Sequence, residues 1–271
     1  MGTRVVGDGA RWVASGPGGP LGELARVRRP DGHTFLLPRG VGEEAWGPLL
    51  DAAIGGFRGT ELFVEIDGAD EGAGPRALAE RGFVVHRCDH HYTVPTAEAG
   101  RPAPAGVGVV DAAAADPERL RLLDEELRRD VPGVGEWRND PERFAAELRA
   151  DPEFDPATFL LAVDLGTGAY LGLVRVWIRA AGPPRLGLVG VRRAARRRGL
   201  AGVLLSRVLA VLHRRGVAAV TAEVDEGNVG SNRLLRSFGA RRTGGGVELV
   251  RRAGTADGSA HGAPAGLDQV E

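Results

Sequence analysis

A short segment rich in arginine, between a predicted strand and a predicted helix, constrains this chain more than any other part of its sequence. The segment spans residues 196–201; an apolar run at 186–191 predicts the strand before it, and helical periodicity at 200–212 predicts the helix after it. Amides at a helix start lack intrahelical partners, the helix dipole is positive there, and Gly199 admits a ligand without a Cβ in the way. The segment therefore predicts a binding site for a phosphate or pyrophosphate group.

Composition and charge narrow the classes of protein to which the chain can belong. Its 271 residues are 43% hydrophobic, as is normal for a globular protein, and no apolar run approaches the roughly 20 residues that cross a bilayer. The formal net charge is -1, whereas nucleic-acid-binding domains are usually strongly basic. A single cysteine, Cys88, excludes an internal disulfide, and the N-terminus lacks the apolar core of a secretory signal. We therefore expect a cytoplasmic protein with no nucleic-acid or membrane partner.

The distribution of apolar residues predicts two α/β units joined by a linker. Residues 1–95 mix helical and strand patterns, and residues 96–105 are rich in Pro, Ala and Gly, as exposed linkers are. A second unit is predicted at residues 106–252. Residues 253–271 bury too little apolar surface to offset the entropy lost on ordering, which predicts a disordered tail.

The second unit has the predicted element order βααβββαβαβ. Its first two helices are predicted at residues 117–129 and 141–149, each behind an Asp-Pro start, and its last strand at residues 247–251. The alternation of strands and helices places the chain in the α/β class, as an α+β arrangement of helices on a mixed sheet.

Two blocks of the second unit form a pair of motifs. Residues 191–201 fit an R/Q-x-x-G-x-G/A signature that follows a valine at the end of a strand, and residues 228–239 form an Asn-led helix before an aromatic and a glycine. In order and separation these blocks resemble the acetyl-CoA-binding core of the GNAT superfamily of N-acetyltransferases. The resemblance implies the GNAT acyl-CoA N-acyltransferase fold for residues 106–252.

The resemblance also implies that acetyl-CoA is the co-substrate. Amides at the helix start would hold its pyrophosphate, a strand splayed from its neighbour would pair with the pantetheine arm, and an asparagine would bond that arm. The implied cofactor-binding residues are Val189, Gly190, Val191, Arg196, Arg197, Arg198, Gly199, Leu200, Ala201, Gly202 and Asn228.

Glu223 is the catalytic candidate, because it lies five residues before Asn228, where some members of the superfamily carry a catalytic glutamate. It would deprotonate the attacking amine; the alternative is an orienting or merely solvated carboxylate. Many members place a tyrosine seven residues after the asparagine as general acid, and Leu235 stands there in this chain. Ser237, Tyr170 or a bound water would then supply the proton, the thiolate would leave unassisted, or the chain would be inactive.

The segment between the first two helices of the second unit is where the family usually contacts its acceptor substrate. Asp130 and Trp137 there suit a cationic amine through charge and cation-π contacts; the alternative is a loop whose Trp covers the core. In the first unit, His86, Cys88 and His90 alternate along a strand but match no common zinc spacing, so we expect no metal.

The first unit carries a partial copy of the same pattern. Residues 77–85 resemble the final helix and strand of a GNAT domain, but no glycine-bearing cradle precedes them. The arrangement is similar to tandem GNAT enzymes, with a degenerate N-terminal half that packs on the catalytic one.

The leading hypothesis is an acetyl-CoA-dependent N-acetyltransferase that transfers the acetyl group directly to the amine of a small molecule. Two alternatives stay open: a non-catalytic acyl-CoA-binding or regulatory protein, and an enzyme that acetylates a protein N-terminus or side chain. The sequence also leaves a homodimer open.

Overall fold

The computed structural model of the chain describes residues 2–57, 59–69 and 71–254. The predicted tail therefore lies, from residue 255 onward, outside the described residues. The strands are β1 (Arg4–Gly7), β2 (Arg11–Gly16), β3 (Gly19–Arg28), β4 (Thr34–Arg39), β5 (Leu62–Asp67), β6 (Val84–Pro95), β7 (Val107–Asp111), β8 (Phe159–Asp164), β9 (Tyr170–Trp177), β10 (Arg185–Val191), β11 (Ala219–Asp225) and β12 (Arg241–Arg251). The helices are α1 (Trp46–Gly55), α2 (Ala73–Glu80), α3 (Pro117–Arg129), α4 (Phe144–Ala150), α5 (Leu200–Arg214) and α6 (Val229–Arg236).

These strands form one mixed sheet in the order β1-β2-β3-β4-β5-β12-β6-β11-β10-β9-β8-β7. Among the described strands, only the pairs β4–β5 and β10–β11 are parallel. From β7 to β12 the chain follows the predicted order βααβββαβαβ.

The two halves of the chain exchange their last strands. Strand β6, the end of the first half, pairs with β11 and β12 of the second half, and β12 in turn pairs with β5 of the first. The sheet of either half is therefore completed by a strand of the other. The division of the chain into two units at residues 96–105 stays a prediction. Because the halves exchange strands, they share a common sheet.

Helix α3 coincides with its predicted span, because the side chain of Asp116 accepts a hydrogen bond from the Arg119 amide and Pro117 occupies the first turn. Helix α4 begins at Phe144, three residues later than predicted. Asp140 does accept the amides of Glu142 and Arg143, but these bonds close a turn that precedes the helix.

Strand β12 begins at Arg241, well before the predicted start at residue 247. Its early part holds Thr243 and three consecutive glycines, whose composition argues against a strand; pairing with β6 at Gly244, Gly245 and Gly246 overrides it. Strands β1 to β4, a run of antiparallel neighbours, lie in the mixed pattern of the first half and had no individual prediction.

Helix α5 packs its apolar face on the sheet beside β8, β9 and β10. Leu204, Leu205, Val208 and Leu209 on that face have no exposed surface. Burial of each stabilises the fold by roughly 1.5–3 kcal/mol. The start of this helix, which carries the predicted anion site, is thereby fixed against the sheet.

No helix within the described ranges has both the length and the apolar character needed to cross a membrane.

Candidate active site

The site begins where two parallel strands diverge. β10 pairs with β11 only at Arg185–Thr221 and Leu186–Ala222, and its register with β9 shifts between Leu186 and Leu188. Beyond these pairs the backbone of β10 is free on the β11 side, so residues 188–191 open into the gap between the strands. An extended, amide-containing ligand fits such a gap as an added strand does.

A cavity of about 630 Å³ lies at this divergence. It is enclosed by β10, the turn after it, the start of α5 and the start of α6. Ten of the eleven predicted cofactor-binding residues line it: Val189, Gly190, Val191, Arg196, Arg197, Gly199, Leu200, Ala201, Gly202 and Asn228. The remaining one, Arg198, is exposed to solvent on the outside of the turn.

The turn that closes this cavity has an unusual backbone. Gly199, the N-cap of α5, has φ 77°, and Arg197 has φ 65°, the one positive φ outside glycine among the described residues. No side chain caps the helix, so the amides of Leu200, Ala201 and Gly202 remain for a ligand. A non-glycine residue in the left-handed region is strained and marks functional turns.

Asp130 ties this turn to the end of α3. Its carboxylate accepts hydrogen bonds from Arg193 at 2.8 Å and from Arg196 at 2.6 Å, and the Arg196 guanidinium also donates to the Val191 carbonyl at 3.0 Å. Asp130 therefore lies at the larger cavity, beside the arginine turn. That position favours a role in shaping the anion site over the predicted contact with an acceptor amine.

Arg101 is a cavity residue that the sequence analysis missed, because it lies in the predicted linker. Its backbone amide donates to Ser206 Oγ at 2.7 Å, and its guanidinium packs 4.2 Å from the centre of the Phe238 ring. The guanidinium also lies over the first turn of α5, where a Cβ on Gly202 would come within 2.9 Å of it. A positive charge is thus placed beside the free helix amides.

Replacement of Arg101 by methionine is expected to weaken acetyl-CoA binding by about tenfold, since a charge-assisted hydrogen bond contributes about 1.5–3 kcal/mol and part of it is screened at this open site. Calorimetric titration with acetyl-CoA measures the effect. Arg149→Met on α4, which lies on neither cavity of the site, is the control. Equal affinities for the two variants would remove Arg101 from the anion site.

Asn228 caps helix α6 and faces both cavities of the site. Its Oδ1 accepts the Ser231 amide at 3.1 Å, and it lines the larger cavity together with a neighbouring one of about 350 Å³. Val189 likewise lines both. The two cavities therefore meet beside these residues.

Glu223 lies in the smaller cavity, with Trp177 and Arg185. Arg185 donates two hydrogen bonds to the Glu223 carboxylate, at 2.5 and 3.2 Å. Burial raises the pKa of Glu223, but the hydrogen bond and charge of Arg185 outweigh burial, so its pKa lies below the ordinary glutamate value. Glu223 is thus an ion-paired anion at neutral pH.

Trp137 also lines the smaller cavity, as predicted for an acceptor contact. Its Nε1 donates to Asn139 at 2.8 Å, and the guanidinium of Arg128 lies 4.4 Å from its ring centre. An arginine of the chain thus already occupies a cation-π position on this indole. Whether Trp137 binds an acceptor stays a prediction.

The segment that carries Trp137 is held by the first half of the chain. The Arg138 amide donates to the Pro30 carbonyl at 3.1 Å, and Arg87 donates to the Pro132 carbonyl at 3.2 Å. The first half therefore supplies one wall of the smaller cavity.

The residues considered as general acid are differently placed. Leu235 is 1% exposed and lines the smaller cavity, whereas Ser237 lines the larger one. The Tyr170 hydroxyl accepts the Asp116 amide at 2.9 Å, and Tyr170 lines neither cavity. Tyr170 is therefore too remote to protonate a leaving thiolate at the junction.

No cluster of three or more metal-ligating side chains occurs among the residues that the structure describes.

The acetyltransferase (GNAT) family model matches residues 121–240. The mycothiol acetyltransferase of Thermobispora bispora is 29% identical over 247 residues, which cover 87% of this chain and 81% of the relative.

Solved structures share the fold. A GCN5-related N-acetyltransferase from Sphaerobacter thermophilus has a TM-score of 0.71 at 22% identity, over 89% of this chain and 80% of its own. A tandem GNAT protein from the clavulanic acid biosynthesis pathway has a TM-score of 0.66 at 19% identity, over 91% and 83%. These similarities confirm the predicted fold.

Proposed function

We propose that the chain transfers the acetyl group of acetyl-CoA directly to the amine of a small molecule, and the match of the acetyltransferase (GNAT) family model to residues 121–240 supports this proposal. The observation that carries this proposal is the pair of adjoining cavities. The larger is lined by a turn with free helix amides and by a splayed strand, the smaller holds a carboxylate, and they share Val189 and Asn228.

In this proposal the larger cavity holds the coenzyme. The free amides at the start of α5, with Arg196, Arg197 and Arg101 around them, bind its phosphates. The pantetheine arm extends along the unpaired edge of β10 toward Val189. The thioester carbonyl then reaches the junction of the cavities, where a strand amide stabilises the developing oxyanion.

The acceptor amine occupies the smaller cavity and attacks the thioester from there. Cys88 lies in β6 and lines neither cavity, which favours a direct transfer without an acyl-cysteine. The relative from Thermobispora bispora is named for mycothiol, so amines of mycothiol chemistry are the first acceptors to test, followed by amino sugars and short aliphatic amines.

The cavity volume of about 350 Å³ also favours a small molecule over a protein acceptor, since volumes of this order hold small ligands.

Two measurements test the proposed function. Calorimetric titration with acetyl-CoA is expected to show one site with micromolar affinity, and release of free coenzyme thiol is expected with at least one amine of the panel. Acetyl-CoA binding without thiol release on any amine would favour the non-catalytic binding protein, to which Leu235 points. Turnover on peptide N-termini alone would favour a protein acetyltransferase.

A further inference from the structure

Glu65 brings a second carboxylate to the acceptor side of the site, and it comes from the first half of the chain. It lies on β5 and lines the smaller cavity together with Glu223. Both carboxylates also line an adjoining open cleft with Trp177 and Arg185. The sequence gives no sign of this placement, because 158 positions separate two residues that the strand exchange brings to one cleft.

Gly246, in β12, makes the approach possible. A Cβ on Gly246 would lie 3.3 Å from Glu65 Oε1 and 3.1 Å from His91 Nε2. Because Gly246 has no side chain, the ends of the Glu65 and His91 side chains share the space beside it. His91 is the cross-strand partner of Glu223, and its Nε2 is buried without a hydrogen-bond partner.

The other carboxylates of the smaller cavity are already engaged. Asp89 pairs with Arg87 at 2.7 Å, Glu223 pairs with Arg185, and Asp225 accepts the Gly227 amide at 2.8 Å. Within the described ranges Glu65 forms neither an ion pair nor a hydrogen bond. Its whole carboxylate is therefore available to a ligand in that cavity.

The surroundings of Glu65 and Glu223 act in opposite directions on their protonation. Glu65 is exposed, yet desolvation in the cleft raises its pKa and the negative charge of Glu223 raises it further. The carboxylates of Asp89 and Glu248 act in the same direction, and the guanidinium of Arg87 acts against them. The pKa of Glu223 is lowered. Two carboxylates whose environments separate their pKa values are the usual basis for a division of acid-base roles.

We infer that Glu65, supplied by the first half of the chain, is the catalytic base that takes the proton from the acceptor ammonium, while Glu223 with Arg185 is a positioning pair. This inference rests on the proposed function. It gives the first half a part in the chemistry as well as in the packing.

Deprotonation of the acceptor ammonium precedes acetyl transfer in the proposed reaction. The ammonium transfers one proton to the Glu65 carboxylate, and the neutral amine attacks the thioester carbonyl carbon. A C–N bond forms, the C–S bond breaks, and the second proton of the attacking nitrogen ends on the coenzyme thiolate. The products are the amide, the free coenzyme thiol and a protonated Glu65 that returns its proton to solvent.

The pH dependence of kcat separates the two glutamates. Glu65 accepts a proton only as a carboxylate, so kcat is expected to fall as the pH falls through its raised pKa, above the ordinary glutamate range. With the fastest amine of the panel, Glu65→Gln is expected to lower kcat about 100-fold and to abolish this acidic limb. Glu223→Gln is expected to raise KM for the amine and to keep the limb, moved to lower pH because the negative charge beside Glu65 is removed. Glu80→Gln, an exposed glutamate of the same half, is expected to leave the profile unchanged.

A second readout needs no acceptor. With carbon-13 on the glutamate side-chain carboxyls, the signal missing from the Glu65→Gln spectrum identifies Glu65 in the wild-type protein. Its titration is expected above the ordinary glutamate range, and the Glu223→Gln variant is expected to shift it down, because a neighbouring negative charge is removed.

The outcomes distinguish the inference from the function on which it rests. Wild-type turnover together with an intact acidic limb in Glu65→Gln, or a Glu65 that titrates within the ordinary glutamate range, would overturn the base assignment alone. A wild-type protein that transfers acetyl groups to no amine would overturn the proposed function and the assignment with it.

Discussion

Replacement of Gly199 by tryptophan is expected to weaken acetyl-CoA binding at least 100-fold. Gly199 lines the larger cavity at the start of α5 with φ 77°, and nothing lies within 4 Å of the position that its Cβ would take. An indole there projects beside the free amides of the helix and fills the space of the pyrophosphate. The left-handed backbone adds roughly 1–2 kcal/mol of strain for any residue with a side chain. Calorimetric titration with acetyl-CoA measures the loss.

Gly216→Trp is the matched control, because it separates the effect of blocking the binding site from the effect of backbone strain. Gly216 follows the same helix at its other end, with the same φ of 77° and the same open space around its Cβ position. Both variants share the conformational cost, so their free energies of unfolding are expected to fall alike. Only Gly199→Trp is expected to lose acetyl-CoA. Equal affinity in both variants would mean that the coenzyme binds elsewhere.

Replacement of Gly172 by alanine is expected to lower the free energy of unfolding by about 2–3 kcal/mol and to weaken acetyl-CoA binding severalfold. A Cβ on Gly172 would lie 2.5 Å from the carbonyl oxygen of Gly190 and 3.0 Å from the Cα of Val191. Both are backbone atoms, so β9 and β10 must separate to relieve the overlap. The displaced segment of β10 is the one that lines the larger cavity, where we propose that the coenzyme binds. Urea denaturation measures the first effect and calorimetry the second.

Gly166→Ala in the neighbouring turn is the control for this variant. The nearest atom to its Cβ position is Asp164 Oδ1 at 3.4 Å, an ordinary contact, and its stability is expected to change by less than about 0.5 kcal/mol. Should Gly172→Ala unfold at the wild-type urea concentration, the close packing of β9 on β10 would be wrong as described.

Local signals in the sequence were enough to predict the elements around the larger cavity. Helix α3 has an Asp-Pro start that the structure uses, and helix α5 begins and ends beside glycines with positive φ. Each of these signals acts within about four residues, through capping bonds or allowed φ angles. Pattern reading therefore identified them, and ten of the predicted cofactor residues line one cavity.

Features that depend on contacts between distant parts of the chain were predicted less well. Arg101 lies in a segment with the composition of a linker, yet it reaches the first turn of α5 because its backbone amide donates a hydrogen bond to Ser206. Because of its glycines, strand β12 was predicted to begin only at residue 247, yet the pairing with β6 keeps these glycines extended. In both cases a long-range contact outweighs the local preference, and a single sequence contains no record of such contacts.

The acceptor side of the site shows most clearly what each level decides. The sequence by itself placed Glu223 on a strand before Asn228, because alternation and spacing are properties of consecutive residues. Its partner Arg185, the neighbouring His91 and the carboxylate of Glu65 became visible only in the tertiary structure. The physical reason is the exchange of β6 and β12, which brings strands from both halves into one sheet and so sets the charges around each carboxylate. Charge and solvation, which decide the protonation of a glutamate, depend on that three-dimensional arrangement and not on spacing along the chain.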